Sequence, residues 1–277
     1  MIKTELKQII HNRNNLKIMM KDRLFPNKIL NKNIKYKNIH TGERCFILGS
    51  GPSIVKQDIK KLKGEIIITQ NHFHVHEDIK IIHPTYHCVV PFFHSKEFTG
   101  DWINWFSSME KRLPLDTHMF FHLNTKNIIE ENNFFVNRTS YLEVGLDPMT
   151  LKRAKVDISK RIMWVQTALM QCLTVALYMG FEKIYLLGCD MDSICNLNKP
   201  DEMRFYGQSV ITKNAYETKN DKEHLETGSI WFLYWSMWVQ FILFREYAKA
   251  NNSKIINLTE GGILNCYKRE SYNEFVL

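Results

Sequence analysis

Directly after the apolar run Arg44–Leu48 comes the pentapeptide Gly49-Ser50-Gly51-Pro52-Ser53. At the end of a strand such a loop suits an anionic ligand. Glycine lets the main chain come close, Ser50 and Ser53 offer hydroxyls, and a helix starting just beyond would aim its positive end at the same point. The loop lacks the lysine of a Walker loop and the full GxGxxG spacing, so it is neither a P-loop nor a dinucleotide fingerprint. Glycine-rich turns also arise for geometric reasons alone, and that reading stands beside the phosphate one. Two further polar clusters follow apolar runs: Gln70-Asn71-His72 and Gly188-Cys189-Asp190-Met191-Asp192. Asp190 and Asp192 form a carboxylate pair that would hold Mg²⁺ or Mn²⁺ against a pyrophosphate. Alternatively, Asp190 caps its own loop or hydrogen-bonds a ribose, and then no cofactor is required. Six histidines, His72, His74, His76, His83, His87 and His94, lie close in sequence but without the spacing of a zinc site. They are read as substrate contacts or ordinary core and surface residues.

The elements that must position these loops alternate in type. Strands are expected at Arg44–Leu48, 65–69, 86–90, 119–123, Lys183–Leu187 and 254–258. Helical spacing appears at 54–62 and 162–179, and an aromatic-rich apolar helix at 230–244. Both apolar stretches are too interrupted or too short to span a bilayer, which takes about 20 residues. Strands alternating with helices predict an α/β fold with a mostly parallel sheet, helices on both faces, and ligands beyond the carboxyl ends of the strands. All three polar clusters fall at such ends. Residues 44–277 are read as this domain, with a small lid or acceptor lobe in about 95–160 and 193–226.

The chain has 277 residues, 44% hydrophobic, and a net charge of +8. Residues 1–43 hold ten Lys and Arg against Glu5, Asp22 and Glu43, which accounts for +7 of it. The asymmetry marks a basic N-terminal arm, and its loosely amphipathic apolar residues favour an anionic membrane surface over nucleic acid. A solvated helix packed on its own domain is the alternative. No apolar h-region of a signal peptide follows the first charges, so a cytoplasmic protein is expected, with the arm peripheral on the inner face of the membrane. The six cysteines include no CxxC pair and read as reduced thiols.

Three segments carry a family resemblance: Phe46-Ile-Leu-Gly-Ser-Gly-Pro-Ser-Ile54, Gln70-Asn-His-Phe73, and Ala176-Leu-Tyr-Met-Gly-Phe-Glu-Lys-Ile-Tyr-Leu-Leu-Gly-Cys-Asp190. They resemble the bacterial sialyltransferases that use CMP-activated nonulosonic acids. They are also similar to the 6-hydroxymethylpterin pyrophosphokinase-like family, which includes motility accessory factors and proteins of capsule and lipopolysaccharide loci. The tail Lys254-Ile-Ile-Asn-Leu-Thr-Glu-Gly-Gly-Ile-Leu264 looks like the second group in particular.

The resemblance implies a Rossmann-like glycosyltransferase that moves a sugar from a nucleotide-sugar donor to a glycan or lipid-linked acceptor; apart from the resemblance, a homo-oligomer is among the expected assemblies. It implies donor contacts at Gly49, Ser50, Gly51, Pro52, Ser53, Asn71, Thr167, Gly188, Asp190 and Thr259. His224, in the context Asn220-Asp221-x-x-His224, matches the general base. Tyr206 stands where a tyrosine supports the leaving phosphate, and Asp192 joins them as a candidate catalytic group. The chain departs from the sialyltransferases at Gly188-Cys-Asp-Met-Asp192, where a phosphate-binding tyrosine is missing. The competing reading is a pyrophosphokinase-like phosphotransferase using Mg-ATP on a pterin-type alcohol. A non-catalytic nucleotide-binding protein is the third.

Overall fold

The computed structural model describes residues 2–90, 99–196, 199, 202–207 and 227–275, with the backbone alone for 2–12, 227–229 and 275. Eight strands form one parallel sheet. In chain order its strands are β1 (Arg44–Leu48), β2 (Ile66–Gln70), β3 (Tyr86–Cys88), β4 (His118–His122), β5 (Thr139–Leu142), β8 (Lys183–Leu187), β9 (Lys254–Asn257) and β10 (Lys268–Arg269). Across the sheet the order is β10-β9-β8-β1-β2-β3-β4-β5. Between β5 and β8 the chain forms a separate parallel pair, β6 (Val144–Leu146) with β7 (Ile162–Met163). The expected Rossmann-like α/β architecture is therefore what the chain adopts.

Alternation along the strands explains the layers. On β1, Cys45 and Ile47 face one core, while Phe46 and Leu48 face the other. Successive side chains of a strand point to opposite faces, so a strand buried on both sides reads as a continuous apolar run. Among the described residues four helices are long. The first core packs under α3 (Ala168–Met179) and α4 (Thr227–Ala250), and α2 (Thr99–Arg112) covers the second with Trp102, Trp105, Phe106 and Met109. From Leu169 to Met179 every residue of α3 is buried. Burial all round, with Gln171 and Thr174 hydrogen-bonded to carbonyls, fits a position between the sheet and α4.

Local chemistry shifted three boundaries. The helix expected over 54–62 is instead two single 3₁₀ turns, Pro52–Lys56 and Ile59–Leu62. Between them Gln57 is extended, its side-chain amide donating to the Leu258 carbonyl at 2.8 Å, and Asp58 caps the second turn by accepting from the Lys60 N–H. The helix expected over 162–179 begins only at Ala168. Thr167 has extended backbone and its Oγ1 accepts from the Met170 N–H, the geometry of an N-cap. Residues 95–160, read as a lid or acceptor lobe, supply α2, β4 and β5, so much of that stretch belongs to the sheet and its covering layer.

The basic segment is partly built into the domain. In α1 (Ile2–Leu24), Asn15 donates to the Asp147 carbonyl and Thr150 Oγ1 and accepts from the Asp147 N–H. Further on, Leu30, Asn33 and Tyr36 are buried, and the Tyr36 hydroxyl lies 2.8 Å from His118 Nε2. The Asn33 side chain donates to the carbonyls of Tyr141 and Ile158 at 2.7 and 2.9 Å. Among the described residues no helix is long and apolar enough to cross a membrane.

Asn33→Ala removes both donors and leaves two buried carbonyls unpaired, so it should destabilise the fold by about 1–3 kcal/mol. Denaturant unfolding with an unchanged m-value is the check.

Candidate functional site

The loops after β1, β2, β3 and β8 enclose a cavity of about 400 Å³. It opens at the carboxyl edge where β1 separates β2 from β8, the point at which strand order reverses and parallel sheets take their ligands. Gly49, Ser50, Gly51, Asn71, Thr167, Gly188, Asp190, Asp192 and Tyr206 all line it. Pro52, Ser53 and Thr259 do not. His224 lies outside the described residues.

The glycines act differently from the sequence-based expectation. A Cβ on Gly49 would sit 2.3 Å from the Gly188 carbonyl oxygen, and one on Gly51 would sit 1.8 Å from Asp190 Oδ2. The main-chain N–H groups of Gly49 and Gly51 donate to Leu187 and Gly188 carbonyls at 2.7 and 2.8 Å. These glycines thus let the β1 loop press against the β8 loop, and their N–H groups are spent there. Ser50 keeps its N–H and hydroxyl without a protein partner among the described residues, at the cavity wall.

Asp190 joins the two loops. It is buried, accepting from the Ser53 N–H at 3.3 Å and the Ser53 hydroxyl at 2.8 Å. Burial raises its pKa, the bonds from Ser53 pull it down, and the charge of Asp192 raises it further. Ser53 is therefore a clamp on Asp190 rather than a wall of the cavity. Thr259 works in the same way from the β9 side, its Oγ1 accepting from the Cys189 N–H at 3.0 Å. Gly262 (φ +69°) lies so close to the Asp190 backbone that a Cβ would come within 2.5 Å of its carbonyl oxygen. With its carboxylate committed to Ser53, Asp190 is poorly placed to share an ion with Asp192. Among the described residues no group of three His, Cys, Asp or Glu side chains could hold a metal.

Asn71 sits in the left-handed region at φ +45°. Three groups hold it there. Its Oδ1 accepts from the Val90 N–H at 3.2 Å, and its carbonyl lies 3.0 Å from His87 Nε2 and 3.2 Å from His74 Nδ1. A carbonyl only accepts, so both imidazoles must carry the proton on the nitrogen facing it. His87 Nδ1 then accepts from the Thr69 hydroxyl at 2.8 Å. Burial holds these rings neutral, lowering the pKa of His74 to about 4 and that of His87 well below its usual value. With Oδ1 engaged, the Asn71 amide retains its NH₂ for the cavity it lines. The histidine cluster thus shapes the backbone around Asn71. His72 is also buried, stacked on Trp105 at 4.5 Å and displaced to a pKa of about 3, chiefly by desolvation.

Positive potential comes from two sources that the sequence reading missed. The end of α3 lies at the wall, where Thr167, Ala168 and Leu169 line the cavity, so this helix replaces the one expected after β1. Arg204 is the second, and no other Lys or Arg is among the described lining residues. The Phe205 N–H donates to the Ser50 carbonyl at 3.1 Å, and the Phe205 ring packs against Phe73 and His76. That docking carries Arg204 and Tyr206 over the glycine loop, where Arg204 Nη1 donates to the Tyr206 hydroxyl at 2.9 Å. Gln70 and Gln166 complete the polar wall. A lone arginine in an irregular segment has no periodicity or spacing to mark it. Its one signal was its position two residues before Tyr206.

No known family model matches the chain, and no curated protein matches its sequence. Among solved structures, the sialyltransferase CstII from Campylobacter jejuni in complex with cytidine-5'-monophosphate is similar at 17% identity and a TM-score of 0.46, covering 84% of this chain and 86% of that one. The same enzyme with CMP-3FNeuAc gives 17% and 0.49, covering 83% and 87%. The MAf glycosyltransferase from Magnetospirillum magneticum AMB-1 gives 16% and 0.49, with 92% of this chain covering 40% of that one. These are distant likenesses of fold, and the chemistry of the cavity rests on its own residues.

Gly51→Ala drives a methyl group into the Asp190 carboxylate and should lower Tm sharply. Ser53→Ala strips that buried carboxylate of a donor and should cost about 1–3 kcal/mol. Gly100→Ala, where a Cβ meets nothing within 4 Å, should be neutral or slightly stabilising. Thermal melts of the three variants decide whether the glycine loop is packed as described.

Proposed function

We propose that the chain is a glycosyltransferase whose cavity holds a nucleotide-activated sugar. The observation that carries this reading is the convergence of Ser50, Arg204 and the α3 N-terminus on one cavity at the strand-order reversal. Together they favour a phosphate group, while the amides of Gln70, Asn71 and Gln166 suit the hydroxyls and base edges of a nucleoside or sugar.

In the transfer an acceptor hydroxyl oxygen attacks the anomeric carbon, that carbon's bond to the phosphate oxygen breaks, and the nucleotide leaves with the electron pair. Arg204 and the Tyr206 hydroxyl beside it are suited to the charge that develops on the departing phosphate. The acceptor's proton goes to a general base. His224 keeps that role from the family resemblance, because a neutral imidazole can accept a proton at pH 7. Asp192 is the cavity-lining carboxylate that could share in this chemistry. A CMP-linked nonulosonic acid is the donor we favour, again from the motif resemblance.

The commitment of Asp190 to Ser53 argues against an Asp190–Asp192 pair for Mg-ATP. Titration with CMP, UDP, GDP and Mg-ATP tests both readings. CMP should bind, and Arg204→Gln should weaken it by about 10-fold or more, the scale of a lost charge-assisted hydrogen bond. Selective binding of Mg-ATP would support the phosphotransferase instead.

We also propose contact with an anionic membrane surface. On α4, Trp231 and Trp235 are exposed, and α1 exposes Leu16, Met20 and Leu24 beside Arg13, Lys17, Lys21 and Arg23. Both helices pack on the turn Pro148–Thr150, which brings apolar and cationic groups to neighbouring elements. Exposed aromatics with basic residues suit a headgroup interface. Co-sedimentation with phosphatidylglycerol vesicles should fall on Trp231→Ser/Trp235→Ser and on Lys17→Glu/Lys21→Glu, and should weaken with salt. Equal sedimentation by parent and variants would remove the membrane from this account.

A further inference from the structure

A second cavity, of about 490 Å³, opens between α1, the loop after β6 and α4. Gln166 lines both cavities, so the two adjoin. At the inner wall of the second one, Gln240 is completely buried, and among the described residues neither its amide nitrogen nor its amide oxygen has a hydrogen-bond partner. It belongs to α4, a helix otherwise rich in aromatic and aliphatic side chains, where leucine would fill the same space without leaving polar groups unpaired. One turn earlier Ser236 is satisfied, since it accepts from Gln166 Nε2 at 2.5 Å and donates to the Leu233 carbonyl at 2.8 Å. A buried amide that pairs with nothing among the described residues is uncommon, and it points to a group supplied from outside.

The rest of the lining narrows what that group belongs to. Trp164 and Phe232 stand exposed at the rim, 37% and 59% accessible. Among the described lining residues Asp147 carries the only charge, and its Oδ1 accepts from the Met149 N–H. Arg161, packed nearby against Gly145, is paired with Glu143 and Asp22. Among the described lining residues there is no cation for a phosphate or carboxylate. Flat aromatic faces beside neutral amides match a sugar ring, whose C–H face packs on the rings while its hydroxyl or acetamido groups bond to the amides.

We propose that this second cavity binds a neutral glycan. Its sugar stacks on Trp164 and Phe232, and its polar substituent completes the hydrogen bonds of Gln240. That the glycan is the acceptor rests on the nucleotide-sugar reading of the first cavity. The shared Gln166 puts a sugar bound here next to that cavity, as transfer requires.

The test is a glycan array carrying neutral and sialylated oligosaccharides, probed with the fluorescently labelled full chain. The parent should retain neutral glycans. Trp164→Ala and Phe232→Ala should weaken that retention at least tenfold while leaving CMP titration unchanged. Gln240→Leu should weaken it as well and at the same time raise Tm, because it removes the unpaired amide. Arg204→Gln should lose CMP and keep the glycan. If CMP fails to bind the parent while glycans bind at Trp164, the donor reading falls and the glycan site stands. Retention of no neutral glycan, retention confined to sialylated ones, or retention unaffected by Trp164→Ala and Gln240→Leu would overturn the proposal.

Discussion

A buried carboxylate governs the carboxyl edge of the sheet. Asp190 gives up solvent in exchange for the two Ser53 donors, and it occupies the space that a side chain at Gly51 would need. Such a group is tolerated only where its acceptors are satisfied, so Ser53 and Asp190 specify each other. Around this pair three loops are drawn together: the β1 loop through Gly49 and Gly51, the β8 loop through Gly188, and the segment after β9 through Thr259 and Gly262. A methyl group at any of these four glycines would meet backbone or carboxylate atoms within 3 Å. The residues that are most conspicuous in the sequence thus build the floor of the cavity rather than grip its contents.

The groups that face into the cavity are positioned by this floor. Because Gly49 and Gly51 spend their N–H groups on the neighbouring loop, Ser50 is the residue of the pentapeptide left facing a ligand. Because Phe205 is anchored to Ser50 and seated against Phe73 and His76, Arg204 hangs over the same loop. The neutral histidines beneath Asn71 play a parallel part, holding a strained backbone so that its amide points into the cavity. Phe205 and the two histidines do this holding without lining the cavity themselves.

The layered sheet was legible because burial on both faces writes long apolar runs into the strands, as in Lys183–Leu187. Element ends were less so. Thr167 delays the helix expected from 162 by six residues, a decision made by one hydroxyl inside a largely apolar stretch. The middle of the chain concealed β5, whose Thr-Ser-Tyr-Leu carries little apolar signal and pairs only at the sheet edge. At the site, the glycine loop, Asn71, Gly188 and Asp190 were found in the sequence because their types are unusual after strands. The direction in which each faces was not, since Ser53 and Thr259 turn inward only through partners more than 60 residues away. Gln240 gave no signal and Arg204 only its place two residues before Tyr206: what singles them out is the cavity position of one and the unpaired burial of the other, and both exist only in three dimensions.

The account stands on the cavity between β1 and β8 being the place where a nucleotide's phosphate rests. Electron density for CMP in co-crystals tests this most directly. The account predicts the phosphate within hydrogen-bonding distance of Ser50 and Arg204, facing the start of α3, with Asp190 still bonded to Ser53. Density for the nucleotide elsewhere, or a phosphate turned away from Arg204 with Asp190 released to bind a metal, would contradict it.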